Sequence, residues 1–313
     1  MEKRQFFLLL LAFFFLGSSL WAAGCGSTVN GVSEEGNEGK ENTENEIRGV
    51  ITREGPVVGL ALSGGGGLGM AHIGVIDVLV EHGIPIDIIT GTSAGAIVGA
   101  LFCDGISPEQ MEKIVSEISW SDFLVASVPE LGFFSTEGIE EKVKEHLQSE
   151  NFEDLAIPLA VIATNLDDGE EIVINRGSIV KGVAASAAIP VIFKPVEYEG
   201  MILVDGGLVN NLPSDLAREM GADIVIAVNL ADNFRFEGRP QGLIETGIRS
   251  YNILQRSHSI RVDADIEIHP DLEGVAGTDL DQYREIIYRG REAAEEVVPD
   301  ILALLEEKRK KEQ

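Results

Sequence analysis

The segment Ser63-Gly64-Gly65-Gly66-Gly67-Leu68-Gly69 follows a short apolar run, Val57 to Leu62, and precedes a longer apolar stretch. Consecutive glycines lose more conformational freedom on folding than any other residues. They make sense where the backbone must come very close to something. A strand, a glycine loop and a helix in that order present backbone N–H groups at a helix N-terminus, aimed at an anion or a developing oxyanion. The same residues fit G-x-G-x-x-G from Gly64 to Gly69, with the acidic residue Asp87 about twenty positions on. A dinucleotide site is therefore a second reading of this loop, and the pattern alone does not choose between them.

A second loop does. Gly91-Thr92-Ser93-Ala94-Gly95 follows the apolar run Ile86 to Thr90 and opens another apolar stretch. Glycines on both sides of Ser93 permit the sharp strand-to-helix turn of a nucleophile elbow, with a helix N-terminus behind the hydroxyl to favour a negative intermediate. A third loop, Val204-Asp205-Gly206-Gly207, ends a further apolar run and offers a carboxylate where glycines allow close packing. Free aspartate titrates near 3.9, so Asp205 serves as a base for a serine only if burial and hydrogen bonding tune it. The glycine loop, Ser93 and Asp205 together read as acyl transfer. The nucleotide reading leaves Ser93 and Asp205 unassigned.

Around these loops, β-rich apolar runs recur at Val57–Leu62, Ile86–Thr90, Leu159–Thr164, Glu171–Ile174, Met201–Val204, Asp223–Leu230 and Asp265–His269. Their continuous hydrophobicity suits strands buried on both faces, which predicts a mainly parallel sheet covered by helices. Helical patterns are expected at Gly69–His82, Ala94–Phe102, Pro108–Ile118, Thr136–Gln148, Leu212–Met220, Gly242–Ile260 and Arg291–Lys311. At 313 residues and 44% hydrophobic, the chain can bury a full core without disulfides or a metal. Its two cysteines, Cys25 and Cys103, are too few for a disulfide framework or a thiolate zinc cluster.

Charge excludes one class of partner. With 24 Lys+Arg against 52 Asp+Glu the net charge is −28, which repels phosphate backbones and speaks against nucleic-acid binding. The basic run Lys308 to Lys311 complements the C-terminal dipole of a helix. At the other end, Lys3 and Arg4 precede an apolar run from Phe6 to Leu16 and small residues through Gly24. This pattern predicts a signal peptide over residues 1–24, since a spanning helix needs roughly twenty apolar residues. Ala22-Ala23-Gly24-Cys25 resembles a bacterial lipobox without its usual leading Leu, so a lipidated Cys25 is expected, with ordinary cleavage as the alternative. Residues 25–55 read as a polar linker and 56–313 as one hydrolase domain, exported and held at a membrane surface in the cell envelope by the lipid, or secreted without it.

The motifs, taken in order, resemble those of the bacterial patatin-like phospholipases. The resemblance runs from Val58 to about Asn229. It includes Gly64 to Gly69 with Ala71-His72-Ile73-Gly74-Val75, Gly91 to Gly95, Ala163-Thr164-Asn165, Ala185-Ser186-Ala187-Ala188-Ile189-Pro190, and Asp205-Gly206-Gly207. It implies a three-layer α/β/α fold and a lipid acyl hydrolase with a Ser93–Asp205 dyad. It also implies an oxyanion hole from the amides of Gly65, Gly66 and Gly67, with an ester or lipid substrate and no cofactor. Leu68 stands where such proteins commonly carry Arg or Lys, a departure that bears on anion stabilisation and substrate charge. Three alternatives stay open: a histidine triad using His258 or His269, a patatin-fold lipoprotein with weakened or lost catalysis serving as an interaction module, and, less favoured, a dinucleotide-binding protein. His72 and Cys103 are expected in the core, and Phe123 to Phe134 is a candidate cover for an acyl pocket.

Overall fold

The computed structural model describes residues 55–127, 131–234, 238–259, 262–275 and 280–311, all within the compact unit Gly39–Gln313. The expected signal peptide, Cys25 and nearly all of the linker lie outside the described residues.

Strand β1 (Val58–Leu62) leads through the glycine loop and a 3-10 turn (Gly66–Met70) into helix α1 (Ala71–Glu81). Strand β2 (Ile88–Thr92) turns at Ser93 into α2 (Ala94–Cys103), followed by α3 (Pro108–Glu117) and the short α4 (Trp120–Phe123). Next come β3 (Val125–Ala126), β4 (Gly132–Ser135), α5 (Glu137–His146), β5 (Leu159–Asn165), β6 (Glu171–Ile174) and α6 (Ile179–Ser186). The chain continues through β7 (Val191–Phe193), β8 (Val196–Tyr198), β9 (Met201–Asp205), α7 (Ser214–Glu219) and β10 (Ile224–Val228). It closes with α8 (Leu243–His258), β11 (Ile266–Ile268) and α9 (Tyr283–Lys311).

Five strands, β11-β10-β1-β2-β5, form a parallel core, and β6, β9 and β8 extend it with antiparallel pairings. Every residue of β1, β2 and β10 is buried, which is why their sequences run apolar without alternation. Successive residues serve opposite faces. Ile89, Val161 and Leu60 join the large cluster under α1, α2 and α9, whereas Ile88, Ala160, Ile162 and Val225 pack with Leu216 and Ala217 of α7 and with Met220 just after it. The fold is the three-layer α/β/α sandwich that the sequence suggests. β3, β4 and β7 make a separate small sheet.

Several boundaries differ from expectation. β2 ends two residues beyond Thr90, because pairing with β1 carries Gly91 into the ladder opposite Leu62. The last helix begins at Tyr283 rather than Arg291, passing through Gly290. That glycine is a packing device rather than a helix stop. A β-carbon there would lie 2.1 Å from the Ala71 carbonyl, and one on Gly74 would lie 2.0 Å from the Ile287 carbonyl. The two glycines let α1 and α9 touch backbone to backbone. Arg291 sits at the same crossing and pairs with Asp77 and Glu81. Gly74→Ala and Gly290→Ala are each expected to lower stability by about 3 kcal/mol through overpacking. Equilibrium urea unfolding checks this, and a change below about 1 kcal/mol would mean the helices can part without loss.

Candidate active site

β5 is the element on which the site is registered. β6 pairs with it over Val161 to Thr164, so β2 and β9, which pair over 159–162 and 163–165, must share its other edge. β2 runs parallel to β5 and leaves it after the pair Thr92–Ile162. β9 enters antiparallel on that same edge and ends at the pair Asp205–Ala163. Ser93 follows Thr92 as Ala163 follows Ile162. The nucleophile candidate and the carboxylate candidate thus arrive at the same level of the sheet from opposite directions.

Ser93 holds φ 54° and ψ −117°, outside the regular regions for an L-residue. Such backbone costs on the order of 1–3 kcal/mol and persists where its surroundings impose it. Here they do. Ser93 N–H donates to Ser186 Oγ at 2.9 Å, fixing the elbow from α6. A β-carbon on Gly95 would lie 2.2 Å from the Leu62 carbonyl, and one on Gly91 would lie 2.7 Å from the Gly95 carbonyl. Only glycine admits so tight a strand-to-helix turn at this point.

Asp205 is fully buried. Its Oδ1 accepts from the Gly207 amide at 2.9 Å. Desolvation pushes its pKa up to about 6, against the Gly207 hydrogen bond and the nearby hydroxyls of Ser93 and Tyr251, which favour the charged form. Those hydroxyls approach the carboxyl without completing a hydrogen bond of ordinary geometry, and Oδ2 is left without a partner. A carboxylate with a pKa of about 6 is a much better proton acceptor near neutrality than free aspartate.

The glycine loop passes over Ser93. Gly66 has φ +56° and open space at its α-carbon. In a 3-10 turn the first amides have no acceptor inside the turn. Those of Gly66 and Gly67 belong to this set, and both residues line the same pocket as Ser93. Gly65 caps the turn against Leu230 and lies outside the pocket lining. Gly64 and Gly69 abut Asn211 and Ala94, and Gly206 abuts the Ile162 carbonyl, so these positions hold the loops close to the sheet. Asp87 hydrogen-bonds Val58 N–H at 2.7 Å, at the start of β1 and so at the end away from the glycine loop. It cannot complete a dinucleotide fingerprint with that loop.

The pocket that opens at Ser93 encloses about 170 Å³. Met70, Ile97, Leu101, Met111, Val143 and Phe193 are among its apolar walls, and Lys142 and His146 are its basic side chains. Phe123 contributes from the suggested cover, part of which (128–130) lies outside the described residues. Leu68 is buried in the core and does not line the pocket. The two histidines considered for a triad, His258 and His269, stand apart from the pocket. His269 pairs at the surface with Asp232 and Glu267, and His258 is exposed on α8. His72 is buried, with Nε2 bonded to the Ser63 carbonyl at 2.8 Å, and burial lowers its pKa to about 4. It is neutral and braces the start of the glycine loop. Cys103 is buried, and burial raises its thiol well above the usual range.

Sequence reasoning left out the groups behind Asp205. Tyr251 and Gln255 of α8 and Asn211 meet there in a buried cluster. Ser186 appeared only as part of a motif, with no role. Their polar types inside otherwise apolar surroundings are the one signal available, and it needs the fold to interpret.

A profile of the patatin family, described as patatin-like phospholipase, matches residues 60–218. This chain belongs to that family. Patatin-like phospholipase domain-containing protein 7 of Rattus norvegicus is 34% identical over 186 residues, covering 56% of this chain and 14% of that protein. An uncharacterised NTE family protein of Mycobacterium tuberculosis is 36% identical over 177 residues, covering 56% of this chain and 49% of its own. The chain thus spans a seventh to a half of the length of these relatives. Among solved structures, VipD from Legionella pneumophila aligns over 80% of this chain and 67% of its own, at a TM-score of 0.46 and 14% identity.

The two buried titrating groups oppose each other in acid. Unfolded His72 takes up a proton near 6.5 and the folded group only near 4, so its contribution to stability is lost as pH falls from 6.5 towards 4. Folded Asp205 holds its proton up to about 6 and the unfolded group only to 3.8, so its contribution is lost as pH rises through that window. Replacing Asp205 by Asn removes the second term. Asp205→Asn is expected to raise stability at pH 7.5 by about 1–3 kcal/mol, with the gain disappearing near pH 4. Thermal unfolding at the two pH values measures this, and equal stability at pH 7.5 would mean that the carboxylate is not desolvated.

Proposed function

We propose that the chain is a serine hydrolase of carboxylic esters of lipids, with Ser93 as nucleophile and Asp205 as its base. The observation that carries this reading is the convergence of a strained, pocket-lining serine and a buried carboxylate of raised pKa at one level of the sheet, below an apolar cavity. Ser93 Oγ attacks the ester carbonyl as its proton passes to Asp205. The amides of Gly66 and Gly67 stabilise the oxyanion, with Gly65 fixing their turn. The ester C–O bond breaks and the alcohol leaves with the proton from Asp205. Water, deprotonated by Asp205, then attacks the acyl-serine; the C–Oγ bond breaks, Ser93 Oγ regains the proton from Asp205, and the fatty acid is released. No step calls for a metal or organic cofactor.

The apolar lining suits an acyl chain. We place the enzyme in membrane lipid turnover or lipid catabolism. In this reading, residues 1–24 direct export and a lipid on Cys25 holds the acidic domain at a membrane of the cell envelope. Acyl chains supply the attraction that the charge of −28 denies.

Hydrolysis of short and long p-nitrophenyl esters by the wild type and by Ser93→Ala tests the chemistry. The expected result is a loss of at least about 10³-fold in kcat for Ser93→Ala, with the long ester preferred by the wild type. Full activity in Ser93→Ala would overturn the assignment. Fractionation of cells producing Cys25→Ala tests the anchor: the variant is expected in the soluble fraction, and unchanged membrane association would remove the lipid from the account.

A further inference from the structure

Tyr251 lies on α8, beyond the part of the chain that the family profile matches. It is buried, and its hydroxyl oxygen accepts a hydrogen bond from Gln255 Nε2 at 3.0 Å. The phenolic hydrogen is therefore turned away from Gln255 and towards another acceptor. The second hydrogen of Gln255 Nε2 goes to Asn211 Oδ1 at 2.9 Å. Asn211 Nδ2 donates in turn to Ser259 Oγ at 3.1 Å, and that hydroxyl donates to the Gln255 carbonyl at 3.0 Å. The phenol donates to none of these partners and faces Asp205, whose Oδ2 is a buried acceptor without a partner.

The loop carrying Asp205 is shaped to admit this side chain. A β-carbon on Gly207 would lie 2.5 Å from Tyr251 Oη and 2.4 Å from Gln255 Nε2. The cluster also reaches the glycine loop, because the Asn211 carbonyl accepts from Gly64 N–H at 3.1 Å.

We propose that Tyr251 is a positioning residue for the reaction: its hydroxyl donates to Asp205 Oδ2 and fixes the carboxyl plane so that the base meets Ser93. This rests on the reading of Ser93 and Asp205 as nucleophile and base. Gly207 holds Oδ1 and Tyr251 holds Oδ2, and each carboxylate oxygen keeps a second lone pair for the proton of Ser93. The hydrogen bond also favours the ionised form of a group that burial would otherwise protonate. The groups acting on Asp205 are the Gly207 amide, Ser93 and Tyr251, and those acting on Tyr251 are Asp205 and Gln255, with no charged side chain among them besides Asp205 itself. Tyr251 does not line the substrate pocket, so its effect belongs to the chemical step rather than to binding.

Tyr251→Phe keeps the ring and removes the donor. The expected result is a kcat lower by about tenfold or more at neutral pH, an unchanged KM, and an acid limb of the pH–rate profile moved up by about one pH unit. Its thermal transition reports whether the fold is intact. Carbon-13 NMR of protein labelled at aspartate carboxyls gives a readout that needs no turnover, with the Asp205 signal identified by its absence in Asp205→Asn. A higher Asp205 midpoint in Tyr251→Phe supports the proposal. An unchanged midpoint, or an unchanged profile in an active variant, overturns it. If the wild type hydrolyses no ester, the hydrolase reading fails while the titration still decides whether Tyr251 acts on Asp205.

Discussion

Everything in the site follows from one edge of β5 being used twice. A parallel partner occupies its first half and an antiparallel partner its second, and the two can meet only if both stop where they meet. β2 stops by turning through Ser93 and β9 stops by turning through Gly206 and Gly207. Each turn is a place where the ladder ends and side chains are released from the alternation of a strand. The glycines are the steric condition for two such turns in one small volume, since added β-carbons would meet backbone atoms of Leu62, Gly95 and Ile162.

The arrangement holds two unfavourable terms together. A carboxyl group whose pKa rises from 3.8 to about 6 has its charged form disfavoured by on the order of 3 kcal/mol. Ser93 adds backbone strain beside it. Local hydrogen bonds from Gly207 and to Ser186 offset them only in part, and the buried surrounding layers hold the rest in place. The parallel core is buried through β1, β2 and β10, and α1 is fastened to α9 by the Gly74–Gly290 crossing and the Arg291 ion pairs. His72 ties the helix face of that assembly to the glycine loop through the Ser63 carbonyl.

How far the sequence could be read depended on the distance over which each feature is determined. The buried strands and the long helices announce themselves through apolar runs and periodicity. Ser93 and Asp205 stand in motifs whose glycines are local requirements of the turns. By contrast, α4, α6, β3, β4, β7 and β8 are short, and contacts supplied by the folded chain hold the strands among them, as when Gly132 and Phe134 pair with Val191 and Phe193. The support of the site is equally non-local: Ser186 reaches Ser93 across 93 positions and Gln255 reaches Asn211 across 44. Gly290, just before the expected start of the last helix, lies inside it because the neighbour it touches requires a glycine there.

The helix behind Asp205 lies outside the stretch by which the family is recognised, which ends at residue 218. On the proposed reading, the chemistry and its adjustment are carried by different parts of the chain. Inheritance can preserve the three loops while the later helix diverges. Relatives with the same motifs would then differ in the acidity at which they work, and a comparison restricted to the shared stretch would miss the cause.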